Sequence, residues 1–87
     1  MLAKISLNNT NKIPFVGEKF YPIAIFENDN STINWSFVVE CREIFKNNTI
    51  IADVYFLMDN APKECMKKNI TFKLFEGKLL IGTGVIL

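Results

Sequence analysis

Apolar and polar residues alternate with a period of two through most of this chain. In Trp35–Arg42 the odd positions Trp35, Phe37, Val39 and Cys41 are apolar; Ser36, Glu40 and Arg42 are polar, and Val38 breaks the pattern. Successive side chains of a β-strand point to opposite faces, so this pattern predicts a strand with one buried side. Ile50, Ala52, Val54, Phe56 and Met58 repeat it, with Asp53 on the other face. Ile70, Phe72 and Leu74 alternate with Thr71 and Lys73, and Ala3, Ile5 and Leu7 with Lys4 and Ser6. Phe20–Phe26 is almost continuously apolar and contains Pro22. Proline has no N–H to give to a ladder, so this segment is expected to start at an edge or a bulge. The β-branched and aromatic content favours strands over helices.

Turn residues divide these runs. Glu76-Gly77 predicts a tight hairpin with glycine at positive φ. Asn47-Asn48 predicts another, because asparagine tolerates the left-handed region. Glu27–Asn34 reads as a longer polar loop, and Asp59–Asn69 as a loop with one helical turn, capped by Asn60 and with Pro62 in its first turn. The expected fold is one all-β domain over residues 1–87, a small antiparallel β-barrel of six or seven strands. Phe37, Val39, Val54, Phe56, Phe72, Leu74 and Ile81 should lie inside, joined by Phe15, Phe20 and Phe26.

Composition narrows the functions. The 87 residues suffice for one core, and 49% hydrophobic with 22% charged residues is the balance of an ordinary globule. A net charge of +1 supplies no strong field toward nucleic acid or a membrane. The apolar run Leu79–Leu87 is broken by Gly82, Thr83 and Gly84 and is too short to span a bilayer. With no leader pattern after Met1 and two cysteines only, a reduced, cytoplasmic setting without membrane contact is expected. The Asn-x-Ser/Thr matches at Asn8, Asn30, Asn34, Asn47 and Asn69 are expected by chance in so asparagine-rich a chain.

The chemistry-bearing residues are sparse. Histidine is absent, which removes the commonest general base, the usual zinc sites and the Ser-His-Asp and Cys-His constellations. Cys41 falls on an apolar strand face and should be inert; Cys65 sits among Lys63, Lys67 and Lys68, which would lower its pKa if it were exposed. Gly77, Gly82 and Gly84 lack the strand-to-helix setting of a phosphate loop and read as turn and bulge glycines. No enzymatic activity, metal or cofactor is expected.

The last third, Ile70 to Ile86, with Glu76-Gly77 and then Gly82-Thr83-Gly84-Val85, resembles the closing hairpin of the third domain of elongation factor Tu. Pro14-Phe15-Val16-Gly17 followed by Tyr21-Pro22 is similar to that family's Pro-Phe-x-x-Gly-Tyr-Arg-Pro stretch, and Asn48–Leu57 takes the place of its Gly-Asp-Asn strand. The resemblance implies a six-stranded barrel standing without the GTPase domain, on a fold that in the family contacts aminoacyl-tRNA, the exchange factor and the GTPase domain. The residues of the RNA role carry over poorly. Asn11-Lys12-Ile13 replaces Gly-Gly-Arg-His, the arginine before Pro22 is missing, and an acidic Glu27–Asn34 replaces the threonine-rich loop.

The expected function is therefore that of a non-enzymatic protein-binding module, with the partner-neutralising role of an immunity or antitoxin protein as its narrower form. The acidic loop carrying Glu27 and Asp29, beside Trp35 or Tyr21, is the candidate contact for a basic protein partner. The alternative is a tRNA- or ribosome-associated accessory protein, with Lys63, Lys67, Lys68 and Lys73 as phosphate contacts.

Overall fold

A computed structural model describes residues 1–8, 13–29 and 33–87. Seven strands follow in order: β1 (Leu2–Leu7), β2 (Lys19–Phe20), β3 (Ile23–Phe26), β4 (Trp35–Ile44), β5 (Thr49–Phe56), β6 (Thr71–Glu76) and β7 (Leu79–Ile86). Every pairing is antiparallel. The neighbours run β3–β6–β7–β1–β5–β4, and β4 pairs back onto β3, which closes a six-stranded barrel. The seventh strand, β2, extends this closure along β4.

Pro22 sits at that closure and not at a strand start. Lys19 pairs with Glu40 and Phe20 with Val39 on one side of it, and Ile23 with Ser36 and Ala24 with Trp35 on the other. Each pair steps by one residue on both strands, so the register is unbroken across Tyr21-Pro22. Phe37 N–H donates to the Pro22 carbonyl at 2.8 Å. The reciprocal bond has no donor, because proline carries no N–H. β2 and β3 are one strand with a missing rung.

The interior is aromatic. Phe26, Phe37, Phe56 and Phe72 stand with ring centroids 5.0 to 5.6 Å apart. Gly84 on β7 pairs with Phe72, and a Cβ added there would lie 2.3 Å from the Phe72 ring. The ring fills the space that a side chain at position 84 would need. All seven residues expected inside are buried, and so is Phe26. Phe20 packs partly against the core.

Three expectations need correction. Phe15 is 68% exposed, because Phe15–Glu18 is a tight turn with Gly17 at φ +91°, which turns the ring outward. Met58 lies past the end of β5 and is exposed, so the alternation stops at Phe56. Asn60 caps nothing: the helical turn is a single 3-10 turn at Lys63–Cys65, with Pro62 in the cap position. Around it Ala61 and Cys65 are buried, and Met66 and Ile70 pack on the core cluster. Asn69 N–H donates to Ile86 O and Ile86 N–H to Ile70 O, stitching this segment to the end of β7. The turns are as expected, with Gly77 at φ +59° and Asn47 and Asn48 at +63° and +59°.

Candidate interaction face

The outer face of β2/β3, β4 and β5 departs from the polar exterior that alternation normally gives a small barrel. Val38 pairs with Tyr55 on β5, and the unbroken register sets Tyr21 opposite Val38 on the other side. Ile23 pairs with Ser36, and Leu57 N–H donates to Ser36 O across the strand. Two adjacent rows therefore read Tyr21–Val38–Tyr55 and Ile23–Ser36–Leu57. Tyr21 is 62%, Tyr55 45% and Leu57 53% exposed, while Val38 between the tyrosines is 1% exposed. Val38 thus breaks the alternation of β4 because it is the buried floor between two aromatic ridges.

The next row is charged. Lys19 pairs with Glu40 and Glu40 with Asp53. Arg42 donates to Asp53 at 3.3 Å and lies 3.9 Å from Glu40, and the Met1 ammonium donates to Asp53 at 2.8 Å. The ammonium hydrogen bond, followed by that of Arg42, holds the Asp53 carboxyl below the ordinary carboxylate range despite some burial acting the other way.

The residues expected to form an acidic contact site are dispersed. Tyr21 lies on the outer face just described. Trp35 starts β4 with its side chain among the inward-facing positions, packed against the core, and its Nε1 is buried with no hydrogen-bond partner among the described residues. Glu27 follows β3, and its carboxylate accepts from Thr71 N–H at 2.9 Å, tying the loop to β6. Asp29 is half-buried and close enough to Cys65 to act on its thiol. Asn30 of the same loop, and Asn11-Lys12 of the elongation-factor likeness, lie outside the described residues.

The lysines are divided too. Lys63, Lys67 and Lys68 are exposed on the segment around the 3-10 turn, whereas Lys73 is on β6, opposite Ile25 and Thr83. Lys73 and Glu27 border a shallow groove over Ile25, Phe26, Thr71, Phe72 and Thr83. Cys65 does not behave as its lysine neighbours suggest. It is buried, and burial first, then Asp29 and Glu64, push its thiol pKa up against the opposing pull of Lys67. Burial and then Glu18 do the same for Cys41. Both thiols are free. Among the described residues no group of three or more Cys, Asp and Glu is placed to hold a metal, and no helix is long and apolar enough to cross a membrane.

Alternation located the strands, but it could not assemble Tyr21, Val38, Tyr55 and Leu57, which meet only through the register. The one trace in the chain was Val38, an apolar residue on an otherwise polar face. Comparison with protein-family models, curated proteins and solved structures gives no match.

Proposed function

We propose that the chain is a non-enzymatic protein-binding module and that the outer face of β2/β3, β4 and β5 is its contact surface. The observation that carries this is the exposed cluster of Tyr21, Tyr55 and Leu57 around the buried Val38, bordered by the ion-paired Glu40, Arg42 and Asp53. An aromatic centre free of charge with a polar rim is the anatomy of a protein interface, and tyrosine is among its energetic anchors. High-pKa, buried thiols and the absence of histidine agree with binding in place of catalysis.

The test is affinity capture from an extract of the source cell, with the wild-type chain against the Tyr21→Glu/Leu57→Glu variant. A stoichiometric protein species retained by the wild type and lost by the folded variant is the expected result. Equal retention by both overturns the assignment of the face. Retention of tRNA at physiological salt, lost in Lys67→Glu/Lys68→Glu, would favour the RNA-associated role instead. The immunity or antitoxin role is the narrower form of the proposal, and it requires the captured species to be a toxin whose activity the chain suppresses.

A further inference from the structure

We infer that the partner for this face is a second copy of the same chain, packed sheet to sheet about a two-fold axis running along β4. This rests on the reading of the face as a protein contact surface and names its occupant. The argument is the order of residues across the three strands. Rotation by a half-turn about β4 exchanges the β2/β3 column with the β5 column and leaves each row at its own level. Lys19 of one copy then faces Asp53 of the other, twice. Tyr21 faces Tyr55, and Ile23 faces Leu57, also twice. On the axis Ser36 meets Ser36, while Val38 stays beneath the tyrosines of its own copy. Glu40 meets its own copy as well, with an Arg42 guanidinium 3.9 Å from each carboxylate to offset the repulsion. Cation faces anion, aromatic faces aromatic and aliphatic faces aliphatic, which is the self-complementarity that an isologous contact requires.

The net charge of +1 adds almost no repulsion between copies. Strand direction is preserved by this axis, giving the aligned packing common between twisted sheets. The size of the face sets the strength. Three strands ~4.8 Å apart and three rows ~6.8 Å apart make a footprint of ~300 Å² per copy, well under the ~800 Å² per partner of a standard interface. The contact is a weak, reversible dimer and not an obligate one.

Sedimentation of the purified chain between micromolar and millimolar concentration reads this directly. The wild type should shift from monomer to dimer over that range. Lys19→Glu, which sets two anions face to face, and Asp53→Lys, which sets two cations, should each lower self-association at least tenfold. An equimolar mixture of the two should recover it, because the carboxylate introduced at position 19 of one chain then faces the ammonium introduced at position 53 of the other. Tyr21→Glu mixed with Tyr55→Lys repeats the test at exposed positions, should the loss of Asp53 impair folding. A wild type that stays monomeric at millimolar concentration, or a mixture as weak as its folded components, overturns the inference. If the wild type is monomeric yet captures a foreign protein that Tyr21→Glu/Leu57→Glu loses, the second copy falls and the contact face stands. If it does neither, both fall.

Discussion

Gly84→Ala tests the packing of the barrel interior with the smallest change available. The added methyl would lie 2.3, 2.7 and 2.9 Å from three atoms of the Phe72 ring, where ordinary contact begins at 3.4 Å. Phe72 must therefore retreat by about 1.1 Å, the difference between 3.4 and 2.3 Å. Its centroid is 5.0 Å from Phe26 and 5.6 Å from Phe37, so the ring is already in contact with two others that must shift with it. Overpacking of this kind costs about 1–3 kcal/mol, and the rigid aromatic cluster places Gly84→Ala near the upper end. A chain of 87 residues has about 4–13 kcal/mol of total stability. A loss of about 3 kcal/mol should lower Tm by roughly 12–24 °C. Urea unfolding followed by the fluorescence of Trp35, the single tryptophan, measures it. Phe72→Leu in the same background should recover part of the loss, because the smaller side chain vacates the space, and a double-mutant cycle isolates that coupling. A Gly84→Ala protein within 0.5 kcal/mol of wild type (roughly the size of a neutral surface change), or two substitutions that simply add, would refute the account.

Phe37→Ala, at a fully buried ring touching three others, should cost about 3–5 kcal/mol and leave the domain largely unfolded at 37 °C by circular dichroism. Because the folded-state pKa of Asp53 is lowered, its contribution is present above the ordinary carboxylate pKa and lost as pH falls through the lowered value. Asp53→Asn should accordingly flatten the loss of stability that acid titration shows below about pH 4, and an unchanged acid limb would dismiss the ion-pair row as a contributor. Both thiols should react with a disulfide reagent at pH 8 far more slowly in the folded protein than in denaturant, since burial keeps them protonated; one fast thiol in the native state would overturn this. Gly77→Ala meets no atom within 4 Å but forces alanine to φ +59°, and should cost about 1 kcal/mol by the same urea assay.

Most of the barrel could be read from the chain because alternation and turn chemistry are local. Trp35 to Cys41 and Ile50 to Phe56 each reveal which side is buried without reference to any other strand, and Gly77 and Asn47-Asn48 declare their own φ. Phe15 shows the limit of composition: an aromatic residue was assigned to the core, but two residues later Gly17 bends the chain and its ring faces water. Cys65 shows the limit of adjacency. Its lysine neighbours in sequence matter less than burial and the carboxylates of Asp29 and Glu64. The candidate face was the least legible, since Tyr21, Val38 and Tyr55 are 17 residues apart in each step and become neighbours only when two ladders align.

The missing rung at Pro22 also bears on how the molecule moves. A closed cylinder has no free end from which to fray, so it opens where one ladder holds least. The β2/β3 strand meets β4 through two pairs on each side of a carbonyl that accepts from Phe37 and a nitrogen that gives nothing back. The β4–β5 ladder on the other side of the same strand pairs seven positions. Amide exchange should therefore be fastest among the barrel strands at Ala24 and Phe37 and slowest at Asp53 and Tyr55, whose N–H groups face β4, with β4 leaving together with β5 when the cylinder unrolls. The proline makes the seam a hinge line, and the two halves of the sheet part along it as a pair of covers part from a spine.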